Sequence, residues 1–263
     1  MDLGLGNKVA LVAASSRGLG YAIARELAAE GAAVVMCARG ESRLREAARE
    51  VAEATGARVV PIAGDVARLA DVSRIVGQAL ADFGRVDVLV TNSGGPPPGT
   101  FDATPPEAWK AAVDVLLTSA VELIRGVLPG MKERRFGRIL NVTSITVKQP
   151  VENLILSNAL RAAVTGMART LASEVASFGI TVNNLLPGYT RTERLTELAE
   201  AQAARTGGAP SDFYARLESE IPARRLGEPR ELAALAAFLA SERASYVTGQ
   251  SIAVDGGWIR GLF

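Results

Sequence analysis

The chain has 263 residues, 48% of them hydrophobic, and 29 basic against 28 acidic side chains leave a formal charge of +1. That is enough apolar material for a large buried core, and so small a charge gives no overall attraction to nucleic acid or an anionic membrane. Histidine is absent, which removes the commonest metal ligand and general base, and the lone Cys37 excludes an internal disulfide, so no metal site is expected.

The 25 arginines and four lysines are scattered rather than run together, and no basic stripe with interleaved aromatics marks a nucleic-acid surface. The opening MDLGLGNKVALVAASS lacks the basic flank and long apolar segment of a signal peptide. No apolar run approaches the roughly 18 residues of a membrane helix, so no membrane partner and a cytoplasmic location are expected.

In chain order, short β-branched runs alternate with longer stretches of helical period. VALVAA (9–14) precedes a helix over 18–30, AVVMCA (33–38) a helix over 41–54, and RVVPIA (58–63) a helix over 69–83. VDVLVT (86–91) leads to a long helical region at 105–131, and RILNVTS (138–144) to a helix over 154–177. ITVNNLL (180–186) is followed by irregular and helical material to 223, a helix over 229–240 and SIAVD (251–255). Strands that are apolar almost throughout suit a parallel sheet covered on both sides. The expected fold is therefore α/β: one Rossmann-type domain over 1–263, a doubly wound parallel sheet with helices on both faces. The segment 191–225, broken by GGAPS at 207–211, reads either as a mobile lid or as a surface excursion.

Directly after the first run comes Ala14-Ser15-Ser16-Arg17-Gly18-Leu19-Gly20 and then a helix. Glycines at a strand-to-helix turn let the backbone approach a pyrophosphate, whose charge meets free N–H groups at the helix start, although a tight turn alone also uses glycine. The second run ends in Arg39, where an NAD-preferring site places an acid against the ribose. Arg17 and Arg39 together suit a 2′-phosphate, which makes NADP the expected cofactor ahead of NAD; as solvated surface arginines they would imply neither.

These features resemble the short-chain dehydrogenase/reductase family over nearly the whole chain. The family's TGxxxGxG turn appears as Ala13-Ala14-Ser15-Ser16-Arg17-Gly18-Leu19-Gly20, with the leading Thr-Gly replaced. Its adenine-side Asp-Val matches Asp65-Val66, its NNAG becomes Thr91-Asn92-Ser93-Gly94, and its Pro-Gly beside the nicotinamide is Pro187-Gly188, with Thr190 and Thr192 following. VTGQSIAVDGG (247–257) resembles the family's last strand. The resemblance implies carbonyl reduction or alcohol oxidation of a small molecule, and a homodimer or homotetramer built on the two long helices.

In active relatives a Ser, a Tyr and a Lys, assisted by an Asn, do the chemistry. Ser144 matches the serine, but Ser157 stands where the tyrosine is due, Arg161 where the lysine is due and Leu116 where the asparagine is due. Arg161 keeps a positive charge able to grip the ribose yet cannot shuttle protons. Ser157 can polarise a carbonyl but is too weak an acid to replace a phenol. Lys148, on the loop after Ser144, is a candidate acid if burial makes its ammonium usable, and otherwise a solvated cation. Tyr189 is a second candidate acid, or simply packs beside the nicotinamide. Pro96-Pro97-Pro98 reads as a rigid wall over the site or as a plain surface turn. Two functions stay open: an NADP-dependent oxidoreductase with a modified acid step, and a non-catalytic nucleotide-binding regulator.

Overall fold

A computed structural model describes residues 2–262. Its seven strands are β1 (Val9–Ala13), β2 (Ala33–Ala38), β3 (Val59–Ala63), β4 (Val88–Thr91), β5 (Gly137–Val142), β6 (Ile180–Pro187) and β7 (Ser251–Val254). They form one sheet in the order β3-β2-β1-β4-β5-β6-β7. Every neighbouring pair is parallel. The order reverses between β1 and β4, and the crevice beyond the carboxyl ends at such a reversal is where open α/β sheets bind ligands.

Alternation along β1 shows why both faces are covered. Ala10 and Val12 join a cluster with α1 (Gly18–Ala29), α2 (Glu41–Thr55) and α9 (Pro229–Ala240). Leu11 and Ala13 join another with α3 (Leu69–Phe83), α5 (Ser119–Arg134) and α6 (Ile155–Val175). Side chains on a strand point alternately to opposite faces, so a strand apolar at every position belongs in the middle of a three-layer sandwich. The doubly wound arrangement read from the sequence is the one observed.

Two segments depart most clearly from expectation. The strand expected over 86–91 begins only at Val88, because the buried Asp87 takes the Val9 N–H with its side chain (3.0 Å). The long helix expected over 105–131 is α4 (Pro106–Val113), a five-residue π turn at Asp114–Thr118, and α5 running on to Arg134. A π turn inserts one residue into the helical repeat and often marks a functional site. The stretch to 223 contains α7 (Glu193–Thr206) and α8 (Pro210–Glu220). Gly207, left-handed at φ 72°, ends α7. A third apolar cluster with Leu195, Ala199, Phe213, Leu217 and Trp258 holds α7 and α8 against the carboxyl edge of the sheet.

Candidate functional site: a dinucleotide groove and a serine-arginine centre

The turn after β1 is fixed by close packing. Ser15 is fully buried; its hydroxyl donates to the Val12 carbonyl (2.9 Å) and accepts the Cys37 N–H (3.1 Å), tying β1 to β2. Its side chain thus belongs to the framework, and a ligand could reach Ser15 only through its surroundings. Ala14 adopts φ 48° and Gly18 φ 59°. A Cβ on Gly20 would lie 2.3 Å from the Ala14 carbonyl oxygen, so only glycine fits there. The Tyr21 N–H bonds the Arg17 carbonyl (3.3 Å), and no side chain caps α1. The N–H groups of Gly18, Leu19 and Gly20 are therefore free for an anion, and the helix dipole favours one. The Leu19 side chain itself packs into the core.

Opposite Gly18 stands the start of α7: Glu193 Oε2 and Thr192 Cγ2 lie 3.7 and 3.8 Å from where a Gly18 Cβ would be. Thr192 caps α7 by accepting the Leu195 N–H (3.4 Å). Thr190, the threonine selected from the sequence, is 8% exposed and donates its hydroxyl back to the Gly188 carbonyl (3.1 Å). Thr192 thus faces the glycine turn, while Thr190 braces the chain behind it. Gly188 permits a close crossing, since a Cβ there would meet Asp255 Cα at 2.7 Å. It follows directly on Pro187, the last residue of β6.

Arg17 and Arg39 are both exposed beside this groove, and Arg17 has Glu197 at 3.9 Å. Asp65 accepts the Ala67 N–H (3.0 Å), turning the chain after β3, and Val66 packs partly into the core. Asn92 donates to the Ala14 carbonyl (3.4 Å), linking the β4 loop to the glycine turn, and around Gly94 nothing lies within 4 Å of a Cβ position. Free helix N–H groups, an open floor at Gly94 and a basic rim are what a dinucleotide phosphate requires. The groove fits a nicotinamide coenzyme.

Beyond Gly94 the groove reaches β5 and α6. Arg161 donates through Nε to Ser157 Oγ (3.1 Å) and through Nη1 to the carbonyls of Val142 (3.1 Å) and Thr143 (3.0 Å). It thereby splints the end of β5 just before Ser144. Desolvation, reinforced by the charge of Arg194, pushes the Arg161 guanidinium down to about 10. Ser144 Oγ accepts the Thr146 N–H (3.1 Å). Each serine oxygen accepts an N–H bond, and neither hydroxyl has an acceptor among the described residues, so each proton is free to donate.

Behind Arg161 is a cavity of about 20 Å³ lined by Thr91, Asn92, Ser119 and Leu116, among others. That is room for about one water molecule. Leu116 sits in the π turn, 5% exposed, and packs with Leu156 and Leu160 of α6. Pro96 is buried and its carbonyl accepts from Arg194 Nη2 (3.2 Å), while Gly99 N–H donates to the Asn153 carbonyl (2.7 Å). The proline segment is therefore pinned to α7 at one end and to the entry of α6 at the other, as a wall would be. Lys148 is exposed, so the burial on which its candidacy as an acid rested is absent. Tyr189 packs edge-to-face on Trp258 with ring centroids 5.6 Å apart. Its burial, with help from Glu220, pushes the phenol up, away from the range of a useful acid.

Residues 13–259 match the family model for Enoyl-(Acyl carrier protein) reductase. A 3-oxoacyl-[acyl-carrier-protein] reductase of Vibrio cholerae is 35% identical over 255 residues, covering 97% of this chain and 98% of its own. The D-beta-hydroxybutyrate dehydrogenase of Cupriavidus necator is 36% identical over 257 residues, covering 97% and 99%. The chain belongs to the short-chain dehydrogenase/reductase family. Among solved structures of this family, L-sorbose reductase from Gluconobacter frateurii in complex with NADPH and L-sorbose superposes with a TM-score of 0.95, at 38% identity and 100% coverage of both chains.

At the positions singled out by the resemblance, the side chains present are Ser144, Ser157, Arg161 and Leu116. Arg161 holds Ser157 and the Val142 and Thr143 carbonyls just before Ser144, Ser144 itself takes the Thr146 N–H, and Lys148 and Tyr189 stand outside these bonds. The candidates missed in the sequence are Glu193 and Arg194 at the start of α7; Thr192 was named there beside Thr190, but not as the residue that caps α7 and faces Gly18. The Thr-x-x-Leu spacing at 192–195 is a legible helix start, but which residue faces Gly18 depends on how α7 packs.

Proposed function

We propose that the protein is an NADP-dependent carbonyl reductase, or in reverse an alcohol dehydrogenase, whose carbonyl oxygen is held by the hydroxyls of Ser144 and Ser157. The observation that carries this reading is the direction of the bonds at both serines: each oxygen accepts an N–H bond and each proton is free to donate. Bound along the groove, a nicotinamide coenzyme supplies the hydride. Gly18, Leu19 and Gly20 hold its pyrophosphate through backbone N–H groups, with Ala14, Ser16, Asn92, Gly94, Pro187 and Gly188 shaping the walls. Arg17 and Arg39 take the 2′-phosphate, and the NADPH in the sorbose reductase complex supports that preference. Ser144 and Ser157 stabilise the negative charge that develops on the carbonyl oxygen, and Arg161 strengthens the Ser157 donor. The proton that completes the alcohol comes from water, since none of Ser144, Ser157 and Arg161 is a suitable acid. The substrate is a small or acyl-type ketone, in keeping with the reductase and dehydrogenase relatives.

The α7–α8 segment (191–225) acts as a lid over this groove. In solution the chain forms a homodimer or homotetramer through α5 and α6, where an open groove of about 440 Å³ is lined by Ile124, Leu128, Met167 and Leu171, with Arg125 and Glu174 alongside. The second reading, a nucleotide-binding protein without turnover, is favoured by Leu116 and by the three Arg161 bonds spent on the protein itself. Titration with NADPH followed by turnover on a carbonyl panel separates the two: binding with ketone-dependent NADPH oxidation supports the reductase, and binding without it supports the regulator.

A further inference from the structure

Arg161 binds the carbonyls at the carboxyl end of β5, and Arg194 binds the Pro96 carbonyl in the loop after β4. Arg161 has no carboxylate partner among the described residues, and its Nη2 has no protein acceptor there. Arg194, in the first turn of α7, spends Nη2 on the Pro96 carbonyl (3.2 Å) and Nη1 on Glu197 at 3.4 Å, a long bond within its own helix. Arg194 Nε has no acceptor among the described residues, which leaves three of five guanidinium N–H bonds unspent.

Arg194 and Arg17 flank one carboxylate, Glu197, at 3.4 and 3.9 Å. Arg17 and Arg39 follow β1 and β2, whereas Arg194 reaches the loop after β4 through the Pro96 carbonyl. Arg194 stands beside Gly95, its Nε and Nη2 3.5 and 3.6 Å from a Cβ position there, on the wall that continues past Gly94 toward Ser144 and Ser157. Its charge is felt at Arg161. Two like charges held together in a cleft repel, and an anion placed between them removes that cost while a neutral ligand does not. A planar guanidinium with free N–H groups matches a carboxylate in particular.

We propose that Arg194 anchors a carboxylate on the substrate, so that the preferred substrates are oxo acids, ketones bearing a free carboxylate, rather than neutral ketones or thioesters. The inference rests on the carbonyl-reductase reading above and names the substrate class of that same site. Arg161 contributes the second positive charge, and Ser144 and Ser157 keep their role at the ketone oxygen.

Unreactive probes test the anchor without turnover. Propionate, butyrate and hexanoate, each beside its amide, are titrated calorimetrically into the full chain saturated with NADP. The carboxylates are expected to bind at least tenfold more tightly than the amides, and Arg194→Gln to abolish that difference while changing NADP affinity less than twofold. Arg194→Lys, which keeps the charge but not the fork, should restore part of it. Equal binding of acid and amide, or binding of neither, overturns the proposal. So does a tenfold loss of NADP affinity in Arg194→Gln, which would make Arg194 a ligand of the coenzyme phosphates. If carboxylates bind as expected but neutral ketones oxidise NADPH and 2-, 3- and 4-oxo acids do not, the proposal is overturned; if no carbonyl of either kind does, the reductase reading fails while the anchor stands.

Discussion

Ala14 carries strain that a single substitution should release. At φ 48° it occupies the left-handed region, where a Cβ is unfavourable. Ala14→Gly is expected to raise stability by about 0.5–1 kcal/mol in denaturant unfolding, the gain in the folded turn exceeding the entropy added to the unfolded chain. With Ser157 as one of the two donors proposed for the carbonyl oxygen, Ser157→Ala should lower kcat about 10²- to 10³-fold with NADPH affinity intact. Lys148→Ala, at an exposed position, should leave kcat within twofold. Because the Arg161 guanidinium titrates at about 10, its charge persists across neutral pH. Turnover should therefore stay level from pH 6 to 9 and fall as pH rises through about 10, when the cation behind Ser157 is lost. A steep limb near neutrality would point to a titrating acid outside this network.

The elements that carry the site differ in how they are held. The end of β5 is splinted by Arg161, and the proline segment is tied down at both ends, so these walls should be rigid. The start of α7 depends on one cap, the Thr192 hydroxyl on the Leu195 N–H. Thr192→Ala should destabilise that end of the helix by about 1 kcal/mol. Hydrogen exchange should then show about fivefold less amide protection over 195–199, with β5 and α6 unchanged. In the π turn at Asp114–Thr118, Leu116 packs against Leu156 and Leu160, which ties the turn to α6.

Across the whole molecule, the parts legible in the sequence were those set by burial. Each strand shows as an apolar run because both faces of the sheet are covered, and α3 and α9 match their helical period to the residue. The π turn was not legible, since VDVLLTSA keeps a helical pattern through it. The inward turn of Ser15, the bracing role of Thr190 and the position of Arg194 were also out of reach, because each is a matter of orientation set by packing between distant segments. The open apolar groove on α5 and α6 belongs to the same scale. If it is the subunit interface, Leu171→Arg should convert the wild-type oligomer to a smaller species by light scattering, and a monomeric wild type would contradict that assembly. The most direct test of the central claim, that a serine pair backed by an arginine serves a nicotinamide-dependent reductase, is NADPH oxidation across a panel of ketones and oxo acids at neutral pH. Wild-type protein should oxidise NADPH in a substrate-dependent manner and Ser157→Ala should largely lose this; tight NADPH binding with no oxidation by any carbonyl would contradict it.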